Sequence, residues 1–403
     1  MINVAILGFG TIGSGVNEII EMNNEILVQR IGQPIQVKYI LDLRDFPGSP
    51  VEKKVVHDIN IILDDPEVNI VVETMGGTGA AYEFSKAALL KGKNVCTSNK
   101  AVVAAFGTEL LAIAKENNIN FMFEASVGGG IPIIRPLVTA FAADKILEIT
   151  GILNGTTNYM LTKMAFEGQE YADVLKQAQA LGYAEQDPTA DVAGHDSCRK
   201  IAILTSIMTG KEVNFEDVHT EGITEITATD FAYAKAMNKS IKLFAQSKLD
   251  GDQVVIMVAP TMVGPENQLF VVNDVYNGIL VKGNAVGDIM LYGSGAGKLP
   301  TASAVVADIV DIGKNLNKTL MSFWNEERLK VGDYKQLTHR YFVRVEGDAA
   351  AKADDIKLAF GQVEIVKAVE GEFAFITAEM KEAAFDEKIE SINGIIKFIR
   401  VEQ

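Results

Sequence analysis

Cysteine is scarce in this chain. Cys96 and Cys198 are the only two in 403 residues. A disulfide framework is therefore not expected, and a reducing, cytoplasmic setting is. Histidine is scarce too. His57, His195, His219 and His339 share no metal-ligand spacing, so each reads as a surface or packing residue. Long apolar runs are missing. The most apolar stretch, residues 119–143, is broken by Glu124, Pro132 and Arg135 and carries three consecutive glycines. No membrane span is expected from it. The N-terminus, Met-Ile-Asn-Val-Ala-Ile-Leu, has no basic region ahead of an apolar core, so no signal peptide is expected. Basic charge is also short: 37 Lys+Arg against 53 Asp+Glu leave a net charge of −16. That gives no broad attraction to nucleic acid or to an anionic membrane, although it permits a local basic pocket. Hydrophobic residues at 48% and charged residues at 22% argue against a disordered chain, and the length suits two or three domains.

What is present is alternation. Residues 4–7, 37–41, 70–72 and 94–97 are short apolar runs that read as strands. Residues 80–91 and 101–117 read as helices between and after them. Strand–helix alternation implies a parallel sheet with right-handed crossovers. Beyond residue 125 the pattern changes. A strand is expected at 146–153. Helices are expected at 159–167, 171–181, 195–209, 228–248 and 302–315, with strand-like runs over 253–292. Residues 339–403 read as a small βαββαβ unit after a polar linker at 317–338. The expected fold is thus α/β. A Rossmann dinucleotide-binding domain covers 1–125, with the helix near 302–315 packing back on it. An α+β domain covers 126–316.

The glycines Gly8, Gly10 and Gly13 follow the first strand and open a helix. In that context they form a dinucleotide fingerprint. Gly8 permits a tight turn, Gly10 lets the backbone approach a pyrophosphate, and Gly13 lets helix and strand pack closely. The helix N-terminus offers N–H donors and a positive dipole end to the anion. The second strand ends in Leu41-Asp42-Leu43-Arg44-Asp45. An acid there suits a ribose hydroxyl and an arginine suits a 2′-phosphate. Both are present. Arg44 makes NADP the expected cofactor with NAD as the alternative, while Lys53 and Lys54 read as solvated surface charges.

Further motifs accumulate in order. They are Val72-Glu73-Thr74-Met75-Gly76-Gly77, Thr97-Ser98-Asn99-Lys100-Ala101, residues 124–132, residues 151–159, residues 181–188 and residues 194–200. Tyr292-Gly293-Ser294-Gly295-Ala296-Gly297 and residues 300–305 follow. Over residues 1–310 this set resembles homoserine dehydrogenase. The resemblance implies NAD(P)-dependent interconversion of L-homoserine and L-aspartate 4-semialdehyde, on the route to threonine, methionine and isoleucine. It implies Lys200 as proton donor and Lys100 as a second catalytic lysine. If the two approach, mutual repulsion would lower the pKa of at least one. Asp196 lies four residues before Lys200 on a helix, so both project from one face. It would orient the lysine or bond the substrate hydroxyl; the plainer alternative is an exposed ion pair. Glu185 is implied for the substrate ammonium, with Asp191 assisting. The cofactor set is Gly8, Phe9, Gly10, Thr11, Ile12, Gly13, Arg44, Thr74 and Lys100. Main-chain oxygens at Glu124, Val127, Gly129 and Ile131 are implied to hold a monovalent cation, Na+, as suits hard-cation chemistry.

The final unit resembles an ACT domain, a regulatory module that pairs between subunits and binds an amino-acid effector. It departs from that family in lacking the Asp-x-Pro-Gly turn; Glu346-Gly347-Asp348-Ala349 stands there. The resemblance to homoserine dehydrogenase implies that residues 126–316 are the catalytic and dimerisation domain of a homodimer or homotetramer. A phosphorylating semialdehyde dehydrogenase would need a Cys–His pair, for which no motif exists. The remaining alternative is a non-catalytic cofactor- or amino-acid-sensing protein on the same scaffold.

Overall fold

Strand β1 (Ile2–Leu7) is buried along its whole length, as a central parallel strand covered on both faces must be. In the computed structural model, which describes residues 1–321 and 323–402, it is followed by α1 (Thr11–Met22), α2 (Asn24–Ile31) and β2 (Ile35–Leu41). Next come β3 (Val55–Val56), α3 (Ile59–Leu63), β4 (Val68–Glu73), α4 (Gly79–Leu90), β5 (Asn94–Thr97), α5 (Lys100–Glu116), β6 (Phe121–Met122) and α6 (Ile134–Thr139). The strands form one parallel sheet in the order β3-β2-β1-β4-β5-β6. The order reverses between β1 and β4, which opens a crevice at the carboxyl ends of the strands.

The chain continues with β7 (Ile146–Ile152), α7 (Gly155–Glu167), α8 (Tyr171–Ala180), α9 (Thr189–Val192) and α10 (His195–Thr209). Then come β8 (Lys211–Glu212), β9 (His219–Thr220), α11 (Ala228–Ala236), β10 (Ser240–Asp250), β11 (Gln253–Val263), β12 (Tyr276–Gly283), β13 (Gly287–Ser294), α12 (Lys298–Lys314) and β14 (Asn325–Arg328). The last elements are β15 (Thr338–Glu346), α13 (Ala349–Phe360), β16 (Glu364–Val366), β17 (Glu372–Ile376), β18 (Met380–Lys381), α14 (Glu382–Ile389) and β19 (Ile395–Glu402). Among the described residues no helix is long and apolar enough to cross a membrane.

Two units result. One comprises Met1–Lys145, Ala202–Phe215 and Gly293–Leu329; the other comprises Ile146–Ile201, Glu216–Tyr292 and Lys330–Gln403. In the first, α12 contributes Ala302, Val305, Ile309 and Ile312 to the core that holds Val4, Ile6, Val16 and Ile20. In the second, a mixed sheet runs β13-β12-β7-β10-β11-β19-β15-β17-β16.

Three expectations are corrected. The helix expected at 228–248 ends at Ala236, and residues 240–250 are a central strand. Asn238 takes a left-handed conformation (φ 52°) that stops the helix. The residues beyond it are buried on both faces, so no polar alternation marks them as a strand. The expected linker at 317–338 contains β14, which pairs with β8, and the buried Trp324, whose Nε1 donates to Thr108 Oγ1 at 2.9 Å. Gly107 makes room for that ring, since a Cβ there would lie 2.8 Å from it. The βαββαβ unit has the strand order β19-β15-β17-β16, but it is no separate sheet. Its β19 pairs in parallel with β11, Thr261 beside Arg400.

Candidate active site

In the first unit the loops after β1, β2, β4 and β5 meet at one edge, because Leu7 is in register with both Leu41 and Glu73, and Glu73 with Thr97. Gly8 adopts φ +87°. Thr74 Oγ1 donates to the carbonyls of Gly8 (2.8 Å) and Leu7 (3.1 Å) and so fastens the glycine turn to β4. A Cβ on Gly13 would lie 2.0 Å from the Gly8 oxygen, whereas one on Gly10 would meet nothing within 4 Å. The first position is closed by the protein and the second is open. Gly10 is the N-cap of α1, followed by Thr11 and Ile12, and having no side chain it cannot cap the helix itself. Its leading N–H groups therefore suit an anion. These features fit a bound dinucleotide.

Asp42 faces the same turn. Its carboxylate accepts from Phe9 N at 2.8 Å and from the Arg44 guanidinium at 2.9 Å, and Arg44 also donates to Phe9 O at 3.1 Å. The Arg44 hydrogen bonds hold the Asp42 carboxyl well below the usual range, against the opposing effect of burial. Lys100 is the first residue of α5, whose N-cap Asn99 accepts from Ala101 N and Val102 N. A lysine at the positive end of a helix opposes the dipole.

Glu73 is a residue that sequence reasoning passed over within a motif. Its buried carboxyl accepts from Met75 N at 2.6 Å and Thr97 Oγ1 at 2.5 Å, joining the loops after β4 and β5. Burial pushes it up to about 7, against the lowering effect of those bonds. A carboxyl raised by folding stabilises least when ionised. Its contribution is full below the ordinary carboxyl range and is lost as pH rises through about 7. Glu73→Gln is therefore expected to raise stability at pH 8, by on the order of 3 kcal/mol at most, and not at pH 4. Melting temperatures at the two pH values check this; an equal change at both would refute the burial argument.

The main chain at 124–131 turns sharply, with Gly128 and Gly129 at φ 75° and 56°. A Cβ on Gly129 would lie 2.3 Å from Gly295 O, so two glycine-rich segments meet backbone to backbone. The Glu124 carboxylate is already engaged, accepting from Ile133, Ile134 and Arg135 N–H at 2.7–2.8 Å and capping α6. What Glu124, Val127, Gly129 and Ile131 have in common for a cation is main-chain oxygen, which fits a hard ion.

In the second unit, Lys200 Nζ donates to Leu153 O at 2.7 Å and pairs with Asp196 Oδ2 at 2.7 Å. Both side chains are buried, with 10% and 3% exposure, so the exposed ion pair is excluded. The organiser is Asn154, another residue missed as a single position. Its Oδ1 caps α7 through Thr157 N at 2.8 Å. Its Nδ2 donates to Asp191 Oδ1 at 2.7 Å and to Asp196 Oδ2 at 2.9 Å. One carboxamide thus ties together α7, α9 and α10. The signal for it was a strand followed by Asn-Gly-Thr-Thr, an N-cap pattern. Glu185 is exposed on the neighbouring loop, where Thr156 Oγ1 donates to Tyr183 O at 2.6 Å and Gln179 Nε2 to Glu185 O at 3.1 Å.

A dinucleotide-binding sheet and a buried lysine–carboxylate cluster define an NAD(P)-dependent dehydrogenase. Family models described as the homoserine dehydrogenase NAD binding domain and homoserine dehydrogenase match residues 8–124 and 132–310. A homoserine dehydrogenase of Synechocystis is 36% identical over 430 residues, covering 99% of each chain. The crystal structure of one from Thiobacillus denitrificans matches with a TM-score of 0.90 at 33% identity, over 100% of this chain and 98% of that one. A hyperthermophilic archaeal homoserine dehydrogenase in complex with NADPH matches with a TM-score of 0.65 at 30% identity, over 77% of this chain and 97% of its own. The chain belongs to the homoserine dehydrogenase family: it is an oxidoreductase acting on the homoserine hydroxyl with NAD(P).

Proposed function

We propose that Lys200 moves the proton in the interconversion of L-homoserine and L-aspartate 4-semialdehyde. The observation that carries this is the buried Lys200–Asp196 pair, braced by Leu153 O and by Asn154. The nicotinamide cofactor, when bound, supplies or accepts the hydride. In reduction Lys200 gives a proton to the oxygen that becomes the hydroxyl; in oxidation it takes that proton back. Asp196 keeps the ammonium oriented, and Asn154 keeps Asp196 oriented. Lys100 stands at the cofactor edge of the first unit as the second catalytic lysine. Glu185 and Asp191 take the substrate ammonium, for which exposed and half-buried carboxylates are suited. The residue 124–131 turn holds Na+ through its main-chain oxygens. The C-terminal βαββαβ unit is an ACT-like module that takes an amino-acid effector. The enzyme works in the cytoplasm as a homodimer or homotetramer. Exposed Val271, Tyr276 and Tyr292 support self-association, and two buried cysteines suit a reducing compartment.

The preferred cofactor in this proposal is NADP. Arg44 is mostly exposed, and its guanidinium cancels the Asp42 charge that would repel a 2′-phosphate. Arg44→Ala is expected to lower kcat/KM with NADP by about tenfold and leave NAD nearly unchanged, the loss of one charge-assisted contact. Parallel kinetics with both cofactors check it. Equal losses with both would assign Arg44 to holding the Phe9 turn instead.

A further inference from the structure

We infer that Arg400, on the last strand of the C-terminal βαββαβ unit, is a positioning residue for the catalytic helix α10, acting through Glu221. Arg400 is 2% exposed and stands between two carboxylates. One is Glu382 at the start of α14, to which Arg400 Nε donates at 2.8 Å and Nη2 makes a second, closer bond. The other is Glu221, which takes both terminal nitrogens, at 3.0 and 2.8 Å. His219 Nε2 lies 2.7 Å from the same Glu221 carboxylate, and its ring stacks on Tyr334. Burial alone would raise the Glu221 carboxyl; the His219 and Arg400 hydrogen bonds bring it down to about 2. It stays ionised, and the planar fork on it is two-pronged.

From Glu221 onwards the contact is backbone on backbone. Glu221 N donates to Val258 O at 2.7 Å and Ile223 N to Val192 O at 2.8 Å. A Cβ on Gly222 would lie 2.2 Å from Val192 O and 2.7 Å from Ala193 Cα. One on Gly194 would lie 3.0 Å from Glu221 O. Gly222 thus lies backbone to backbone on Val192 and Ala193, so a displacement of one segment is expected to move the other. Gly194, at φ +82°, opens α10: its carbonyl takes the N–H of Cys198 at 2.9 Å. Two residues later comes Asp196, and four after that Lys200. Asp191, on the other side of the same segment, is held by Asn154. The C-terminal unit therefore reaches the reacting lysine in four steps: Arg400, Glu221, the 192–194 segment, and α10.

The same unit carries a second buried clamp, whose two carboxylates lie on α11 and β17 and not beside Gly222. Arg344, 7% exposed along its side chain, pairs with Asp230 at 2.7 Å and with Glu372 at 2.9 Å. Asp230 belongs to α11, not to the segment that opens α10. This contrast gives the test, on the full-length chain. Arg400→Lys keeps the charge and loses the two-pronged fork. It is expected to lower kcat with homoserine by about 10- to 100-fold, the scale of a small misplacement of a reacting group, with the cofactor KM unchanged. Glu221→Gln is expected to lower kcat in the same direction by a smaller factor and carries the test should Arg400→Lys not fold. Arg344→Lys is expected to lower the melting temperature with kcat unchanged. Hydrogen exchange of residues 189–200 is expected to rise in the first two variants and not in the third. Unchanged kcat and exchange in Glu221→Gln, or equal effects of Arg400→Lys and Arg344→Lys, would overturn the inference. It rests on the assignment of Asp196 and Lys200 to catalysis. The exchange measurement separates the two: faster exchange without loss of kcat would leave the coupling standing and refute the assignment.

Discussion

Lys200→Ala is expected to lower kcat for homoserine oxidation by about 10²–10⁴-fold, the range of a positioned proton-transfer group. The affinity for NADPH should stay within about twofold, because the groups that fit the dinucleotide lie on residues 8–13, 42–44 and 74 of the other unit. The substitution removes one of the partners of Asp196 Oδ2, and the Lys200 donor to Leu153 O. Asp196 keeps the Asn154 amide at 2.9 Å, so the buried carboxylate retains one donor. Some stability is lost, and melting temperature must be followed alongside turnover. Steady-state kinetics and cofactor fluorescence titration decide the matter. Equal losses of kcat and of cofactor affinity would mean that Lys200 supports the fold, and the proton-transfer role would be discarded.

Gly13→Ala and Gly10→Ala should both abolish high-affinity cofactor binding, for opposite reasons. The methyl of Gly13→Ala would sit 2.0 Å from Gly8 O and 2.8 Å from Thr74 Oγ1. The helix must move off the strand or the turn must open, so melting temperature falls together with binding. In Gly10→Ala the methyl meets no protein atom within 4 Å, and the backbone at φ −82° accepts a side chain. The protein should melt normally and still bind NADPH about 100-fold more weakly, because the methyl occupies the approach to the pyrophosphate. Calorimetry with each variant separates the cases. Full affinity in Gly10→Ala would remove the glycine turn from the cofactor site.

Much of the first unit was legible because its chemistry is local. The strand ending in Gly8, the glycine spacing, and the acid and arginine after β2 lie within a few residues of the groups they serve. The parallel sheet followed from strand–helix alternation alone. The βαββαβ succession at the C-terminus was legible for the same reason, and so was α10, whose boundaries at 195 and 209 are those observed. Residues 228–248 misled because apolar residues buried on both faces of a central strand show no period of two. A single left-handed Asn238 then divides helix from strand with no glycine or proline to mark it.

The sequence by itself determined the dinucleotide turn, the ordered motifs of a homoserine dehydrogenase, and the four-residue spacing that puts Asp196 and Lys200 on one helical face. Only the tertiary structure decided that this pair is buried, that Asn154 joins it to Asp191, that Glu73 bridges two loops, and that β19 extends the catalytic sheet to place Arg400 on Glu221. The division has a physical cause. Turn and helix preferences depend on neighbours along the chain. Burial, and the pairing that burial makes obligatory, depend on residues such as Glu221 and Arg400 that are distant in sequence and adjacent only after folding.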